Sequence, residues 1–487
     1  MAGYIGNKAV NLSTSGADIS GTAVTDGLTV AGNVSVDGGT IKLDGNYPVG
    51  TGNVALGDLS FASLQSGASN NVSIGYYSGN ALTTGDNNTA LGAYAVHKTT
   101  TASGNTGVGR GAMYENSTGA SNTALGDQAL YFNTTASNNT AVGHQAGYSN
   151  TTGTANVAIG SAALYDNTTG IRITAVGREA LTNNTSGNHN TGIGYQAMLT
   201  NTTGNYNVSV GYESLNSNTT ASYNTAVGYQ AGYANTTGLY ETFVGAYAGA
   251  GNTTGEGNSA LGVQALETNS TGAYNTALGR FALKSNTTAS NNTAVGYQAG
   301  YSNTTGLQIT AVGYRALYSN TGVGAANTAT GYEALYSNTT GQFNNAFGRQ
   351  ALYSNTTTSN NFAGGYGALY SNTTGGNNVS VGHEALRSNT TASNNTAVGY
   401  QAGYDNSTGT NLVFMGVDSG ANNTTGQGNT FLGRASGLLN TTGSYNCFVG
   451  QSASSGYASG YLMTTGSKNT ILGAYNGNQG GLDIRTS

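Results

Sequence analysis

Apolar and polar residues alternate in short bursts along this chain, and the bursts recur at a fixed interval. The plainest burst is a small residue, a branched aliphatic and a glycine, as in Ala141-Val142-Gly143. With that glycine as an anchor, the series runs Gly57, Gly75, Gly92, Gly109, Gly126, Gly143, Gly160 and on to Gly313. It resumes at Gly331 after one extra residue, continues to Gly450 and ends at Gly473. Nearly every step is 17 residues; the exceptions are 18 before Gly75, 18 before Gly331 and 23 before Gly473. The residue before the anchor is usually Val, Leu or Ile, the one before that is small, and three after the anchor stands Ala or Ser. Seven after the anchor is Asn in twenty successive coils, from Asn116 to Asn440, each followed by Thr or Ser.

A unit of 17 residues is too short for a helix-turn-helix repeat, which takes about 30 or more. The Val/Leu-Gly and Ala-Leu-Tyr pieces are short and β-prone. The Asn-Thr-Thr-Gly between them has turn chemistry, because Asn and Gly tolerate positive φ. The pattern therefore predicts an all-β fold: a parallel β-roll or β-solenoid of about 24 coils, each with two short strands and two turns. Stacking at the strand spacing of about 4.8 Å gives a rod on the order of 115 Å long.

Like residues then stack on like. The aliphatic residue before each anchor is expected to form a buried ladder. Because one thin coil buries little, three chains are expected to pack along a common axis as a homotrimeric fibre. The small residue two before the anchor, usually Ala, is the candidate for that axis. Phe243, Phe414, Phe431 and Phe448 take this position, which predicts a wider or differently packed C-terminal part. Three segments follow. Residues 1–50 are an N-terminal attachment or joining module with a hairpin signal around Asp37-Gly38-Gly39. Residues 51–450 are the repeat shaft, and 451–487 are a C-terminal cap or a linker toward a tip.

Composition sharpens this picture. The chain of 487 residues has 78 Gly, one Pro, 33 Tyr and only 7% charged residues. Disorder favours Pro and charge and shuns aromatics, and Gly does not recur every third residue as collagen requires. A net charge of −5 with 14 Lys plus Arg argues against a nucleic-acid partner, which needs clustered positive charge. The lone Cys447 excludes an internal disulfide and is expected to be a small buried hydrophobe. No run of 18 apolar residues occurs, so no membrane insertion is expected. No basic start with an apolar stretch follows Met1, so no secretory leader is expected.

Catalysis finds no foothold in the sequence. His97, His144, His189 and His383 fall in different repeats. Carboxylates and arginines mix one or two residues after the anchors, as on a solvated face. No catalytic residue, metal-ligand set or cofactor is expected, and the chain is not expected to be an enzyme. Tyrosines recur one after the anchor, among them Tyr229 and Tyr400, and five after it, among them Tyr148, Tyr301 and Tyr318. Aligned aromatics can stack on glycans; equally, they can cover the edge of a thin core and stack on one another. Asn116, Asn133, Asn150, Asn167, Asn184, Asn201, Asn218 and Asn235 also have two readings. One is a structural ladder of amides bonded from coil to coil. The other is a row of N-glycosylation acceptors, since each precedes the required Thr or Ser.

The phrases Asn139-Thr140-Ala141-Val142-Gly143 and Val157-Ala158-Ile159-Gly160 resemble the head repeat of trimeric autotransporter adhesins, the YadA-like β-roll. That family's coil is shorter, and its coiled-coil stalk and membrane barrel have no counterpart here. The ends resemble bacteriophage tail fibres of the marine type. Gly27-Leu28-Thr29-Val30-Ala31-Gly32-Asn33 resembles their N-terminal modules, and Asn476-Gly477-Asn478-Gln479-Gly480-Gly481 resembles a linker toward their tip. The resemblance implies a tail fibre shaft on a virion, outside the host cell. It implies contacts with other virion or tail proteins through the N-terminal module, and with a host cell-surface glycan or receptor. The alternative is a secreted adhesin or a glycan-coated extracellular filament subunit at a cell surface.

Overall fold

The computed structural model describes residues 49–322, 325–451, 458–474 and 483–485. All of them belong to one compact unit, Asn46–Ser487. The joining module expected over residues 1–50, with its hairpin, lies outside the described residues up to position 48.

The anchor glycine explains why the repeat exists. Gly143 has φ +135°, a region that L side chains rarely enter, and a Cβ there would lie 2.6 Å from the carbonyl oxygen of Gly160 in the next coil. The backbones of successive anchors touch, so only glycine fits. Ahead of each anchor the chain extends for three residues, as at Thr140–Val142 and Val157–Ile159. These segments pair in parallel with no stagger, Thr140 against Val157 and Val142 against Ile159. The result is an all-β, parallel β-solenoid. Its strands run from Val54–Leu56 to Asn469–Leu472 with no helix among the described residues. A last strand, Asp483–Arg485, pairs antiparallel with Asn469–Leu472. The parallel ladder thus gains one coil beyond Gly450.

Each coil holds one strand, not the expected two. The Ala-Leu-Tyr piece is a chain of turns, because residues two and four after the anchor take positive φ: Glu179 at 58° and Leu181 at 52°. Left- and right-handed residues alternate there, so the chain curls instead of extending. Its amides still bond to the next coil, as Leu164 N does to Ala180 O (2.9 Å) and Asp166 N to Thr182 O (2.8 Å). A left-handed leucine costs roughly 1–2 kcal/mol. Leu130, Leu164, Leu181, Leu215 and Leu266 are nonetheless fully buried there, and burying such a side chain returns about 2 kcal/mol. Burial at least balances the strain.

The core differs from the expected one. In the strand Thr123–Leu125 the middle residue, Ala124, points inward and is 0% exposed, whereas Leu125 is 47% exposed. Leu91, Ile159 and Leu261 likewise face outward. The buried ladder is therefore built from the alanine two before the anchor, the alanine three after it and the leucine four after it. A three-residue strand presents its middle side chain to one face and its flanks to the other, and here the middle faces the lumen. The alanine proposed for an axis between chains lies inside its own coil. Cys447, flanking the strand Cys447–Val449, is only half-buried.

The phenylalanines at the alanine position do not widen the coil. Phe414, Phe431 and Phe448 are fully buried and stack at 5.1 and 4.8 Å, with strand pairing unchanged. Glycine replaces leucine four after the anchor at Gly420 and Gly437, and Gly460 takes the same place, thirteen before the next anchor, in the longer last coil. A Cβ at Gly420 would lie 2.8 Å from the Phe414 ring. Phe243 is accommodated in the same way, against Gly249. A large residue on one wall is offset by none on the other, which keeps the lumen filled.

The neighbouring glycines Gly364 and Gly365 test the anchor argument. Gly365 has φ +134°, and its Cβ would press on the carbonyl of Gly382, whereas a Cβ at Gly364 would meet only the Phe362 ring, at 3.5 Å. Gly365→Ala is expected to cost about 2 kcal/mol or more of local stability and Gly364→Ala to change little. Hydrogen exchange of the strand Phe362–Gly364 and its neighbours would measure both.

Candidate functional site

The lumen is lined by asparagine as much as by apolar side chains. Seven after the anchor, Asn133 donates from Nδ2 to Asn116 Oδ1 (2.8 Å) and to Ala136 O (3.0 Å). The same pair of bonds recurs at Asn150, Asn167, Asn184, Asn201, Asn218 and Asn235. Asn116 begins the row by donating to Thr99 Oγ1 (3.0 Å) and Gly119 O (2.9 Å). All eight of these residues are at most 1% exposed. In the folded chain both amide hydrogens are engaged inside the coil, and a sugar on Nδ2 would have no room.

A second asparagine row lies four before the anchor. Asn122 N donates to Asn105 Oδ1 in the coil before (3.0 Å), while Asn122 Nδ2 donates to Ala136 O (2.9 Å). Asn139 continues the pattern. Sequence reasoning passed over this row, although Asn105, Asn122 and Asn139 already stand at the same phase. The row is interrupted by Ile173, Ile309 and Leu412, and at Glu241 by a carboxyl group. Glu241 is buried, and its Oε2 accepts from Asn258 N (3.1 Å). Burial pushes its carboxyl up to about 9, against the hydrogen bonds from Asn258.

The outside carries the tyrosines, in stacked files. Tyr148 lies between Tyr131 (5.4 Å) and Tyr165 (4.9 Å), and Tyr318 between Tyr301 (5.1 Å) and Tyr336 (5.1 Å). Tyr229 stacks on Tyr212 and meets Tyr247 edge-on. Tyr400 stacks on His383, which stacks on Tyr366. A ring covered on both sides by its neighbours offers a glycan its edge and hydroxyl, not its face. A third file, twelve after the anchor, escaped the sequence reading: His189, Tyr206, Tyr223 and Tyr240, stacked at 4.8 to 5.4 Å. Tyr240 is 60% exposed.

Ion pairs join coil to coil on the same outer edges. Lys98 meets Glu115 (2.7 Å) and Arg110 meets Asp127 (3.0 Å), each 17 residues on. Exposed pairs of this kind contribute about 0–1 kcal/mol. Of the four histidines, His97, His189 and His383 sit in aromatic files, while His144 lies 3.8 Å from Asp127. Among the described residues no three of His, Cys, Asp and Glu gather as a metal would need. No helix among them is long and apolar enough to cross a membrane. No protein-family model matches the chain, and no curated protein matches it.

Asn201 links Asn184 (2.7 Å) to Asn218 (2.8 Å). Asn201→Ala removes the donor to Asn184 Oδ1 and the acceptor of one Asn218 Nδ2 hydrogen, both buried, and is expected to cost about 2 kcal/mol or more. Loss of hydrogen-exchange protection should centre on residues 184–218, whereas Thr203→Ala, at an exposed turn position, should leave protection unchanged.

Glu241 adds a pH dependence. Its side chain ionises near 4.5 in the unfolded chain and near 9 in the folded one. Stability is therefore full below the lower value and lost progressively as pH rises toward the upper. Glu241→Gln, which cannot ionise, is expected to raise the melting temperature at pH 8 and to leave it nearly unchanged at pH 4. Equal effects at both pH values would count against a neutral buried carboxyl.

Proposed function

We propose that this chain is a structural fibre protein, the shaft of a phage tail fibre that supports attachment to a host surface. A β-solenoid of this kind is compatible with a fibrous structural or adhesin-like protein. The observation that carries the reading is the unbroken parallel pairing from Val54–Leu56 to Asn469–Leu472, through three changes of step length. At Gly75, Gly331 and Gly473 the step is longer than 17 residues, yet the register of the stack is kept. Such a stack transmits force along its axis through a continuous hydrogen-bond ladder, and it lengthens without needing a larger core.

In this reading the shaft is homotrimeric. The segment before residue 50 joins it to other virion or tail proteins, and the exposed files meet a host cell-surface glycan or receptor through many weak contacts. Repetition converts such contacts into firm attachment. The ring edges and hydroxyls of Tyr206, Tyr223 and Tyr240 are the groups best placed for it. The proposed role involves no catalysis, no nucleic acid and no membrane insertion, and its place is the virion.

The test is electron microscopy of the purified protein, and of particles labelled with antibody against it. Straight rods on the order of 115 Å long, and label on fibres projecting from a virion, are expected. Label on cell-surface filaments, with none on particles, would move the protein to the adhesin class. Compact globules would end the fibre reading altogether.

A further inference from the structure

The outward face of the strands is uncharged and rich in exposed aliphatic side chains. It consists of two side-chain files, three before and one before each anchor. The first is mostly Thr and Val, as at Thr123, Thr140, Val157 and Thr174; the second is mostly Leu, Val and Ile, as at Leu125, Val142, Ile159 and Val176. None of these positions in the parallel strands, from Val54–Leu56 to Asn469–Leu472, is Lys, Arg, Asp or Glu. The charged residues that pair, such as Arg110 with Asp127 and Lys98 with Glu115, stand on the turns instead. Yet this face is only part-covered by its own chain. Leu91, Leu125, Ile159, Leu261 and Leu278 are each 40% exposed or more.

We infer that this strand face is an interface between copies of this chain, packed side by side along their length. Area and commensurability choose that occupant. At on the order of 60 Å² of exposed side chain per coil, the stripe offers roughly 1,500 Å², above the ~800 Å² per partner of a stable interface. Exposed aliphatic side chains that adjoin one another over so many coils are rare on a monomer.

The files repeat once per coil in unbroken register, Leu125 beside Val142 beside Ile159. A partner that covers the whole stripe must present apolar groups at the same repeat over the same length. Another copy of the chain does so by construction, whereas a globular partner would cover a few coils and leave the rest wet. The face is only three residues wide, so narrow stripes from more than two copies can meet around one axis. The inference deepens the fibre reading, and it rests on that reading only for the side-by-side arrangement.

Sedimentation of the full chain is the first measurement. A multiple of 48.8 kDa is expected, with three copies for the trimeric shaft. The variant Leu125→Lys with Ile159→Lys and Ile193→Lys places charge on the stripe and should reduce the mass to one chain with its far-ultraviolet dichroism intact. The same three charges on the turns, Thr135→Lys with Thr169→Lys and Thr203→Lys, should leave the mass unchanged.

Thiol labelling in a Cys447→Ser background gives a second measurement, safe against misfolding of the charged variant. Ile159→Cys should react about tenfold more slowly than Thr169→Cys, because a packed interface excludes water and reagent. A folded wild-type monomer at micromolar concentration, or equal labelling at the two sites, would overturn the inference. Single-chain rods on particles would overturn it too, while leaving the fibre reading in place.

Discussion

The hydrogen bond from one buried asparagine to the next holds this structure to its period. A coil of 17 residues encloses too little space for an ordinary apolar core, and its tight turns leave backbone carbonyls facing inward. Water cannot reach them, so each needs a donor from the chain itself. The two asparagine rows supply it. Each amide satisfies a carbonyl of a turn, as Asn133 does for Ala136. Each also meets the coil alongside, as Asn133 meets Asn116 and Asn139 meets Asn122. Shifting one coil would leave its buried polar groups and those of the adjoining coils unpaired, each at a cost of about 1–3 kcal/mol.

The same constraint explains the backbone strain. Every coil carries left-handed residues other than glycine, as at Glu179, Leu181 and His189. They turn the chain sharply enough to close a coil in so few residues. Leucine four after the anchor offsets its own strain by filling the lumen. Where phenylalanine fills the lumen from the strand side, as Phe243 does, that leucine gives way to glycine. The strands on either side keep their pairing there. Where the inner row departs from asparagine, the replacement is either apolar, as Ile173 and Ile309 are, or a carboxyl held neutral by burial, as Glu241 is.

The exterior divides into surfaces of different character because the repeat aligns like with like. The turns carry aromatic files and coil-to-coil ion pairs; the strands carry an uncharged stripe. The aromatic files stack on themselves, which stiffens the edges and leaves ring edges and hydroxyls toward solvent. The stripe is only part-covered by its own chain. A long rod with polar edges and one apolar seam suits association side by side, with the edges left for contact with a surface.

The sequence by itself determined the period, the parallel stack, the anchor glycines and the phase of the asparagine and tyrosine rows. It could do so because each depends on a position repeated along the chain, and repetition makes a pattern visible without coordinates. Only the tertiary structure decided which side of the strand faces the lumen. With three residues per strand, Thr-Ala-Val reads equally well with alanine in or valine in, and the choice falls to the space left by the leucine of the same coil. The structure also replaced the expected second strand by turns, because positive φ at Glu179 and Leu181 has no glycine to announce it. The inner role of Asn122 and Asn139 was hidden for a related reason: asparagine signals turns and surfaces, and only a closed coil gives its amide a buried partner on either side.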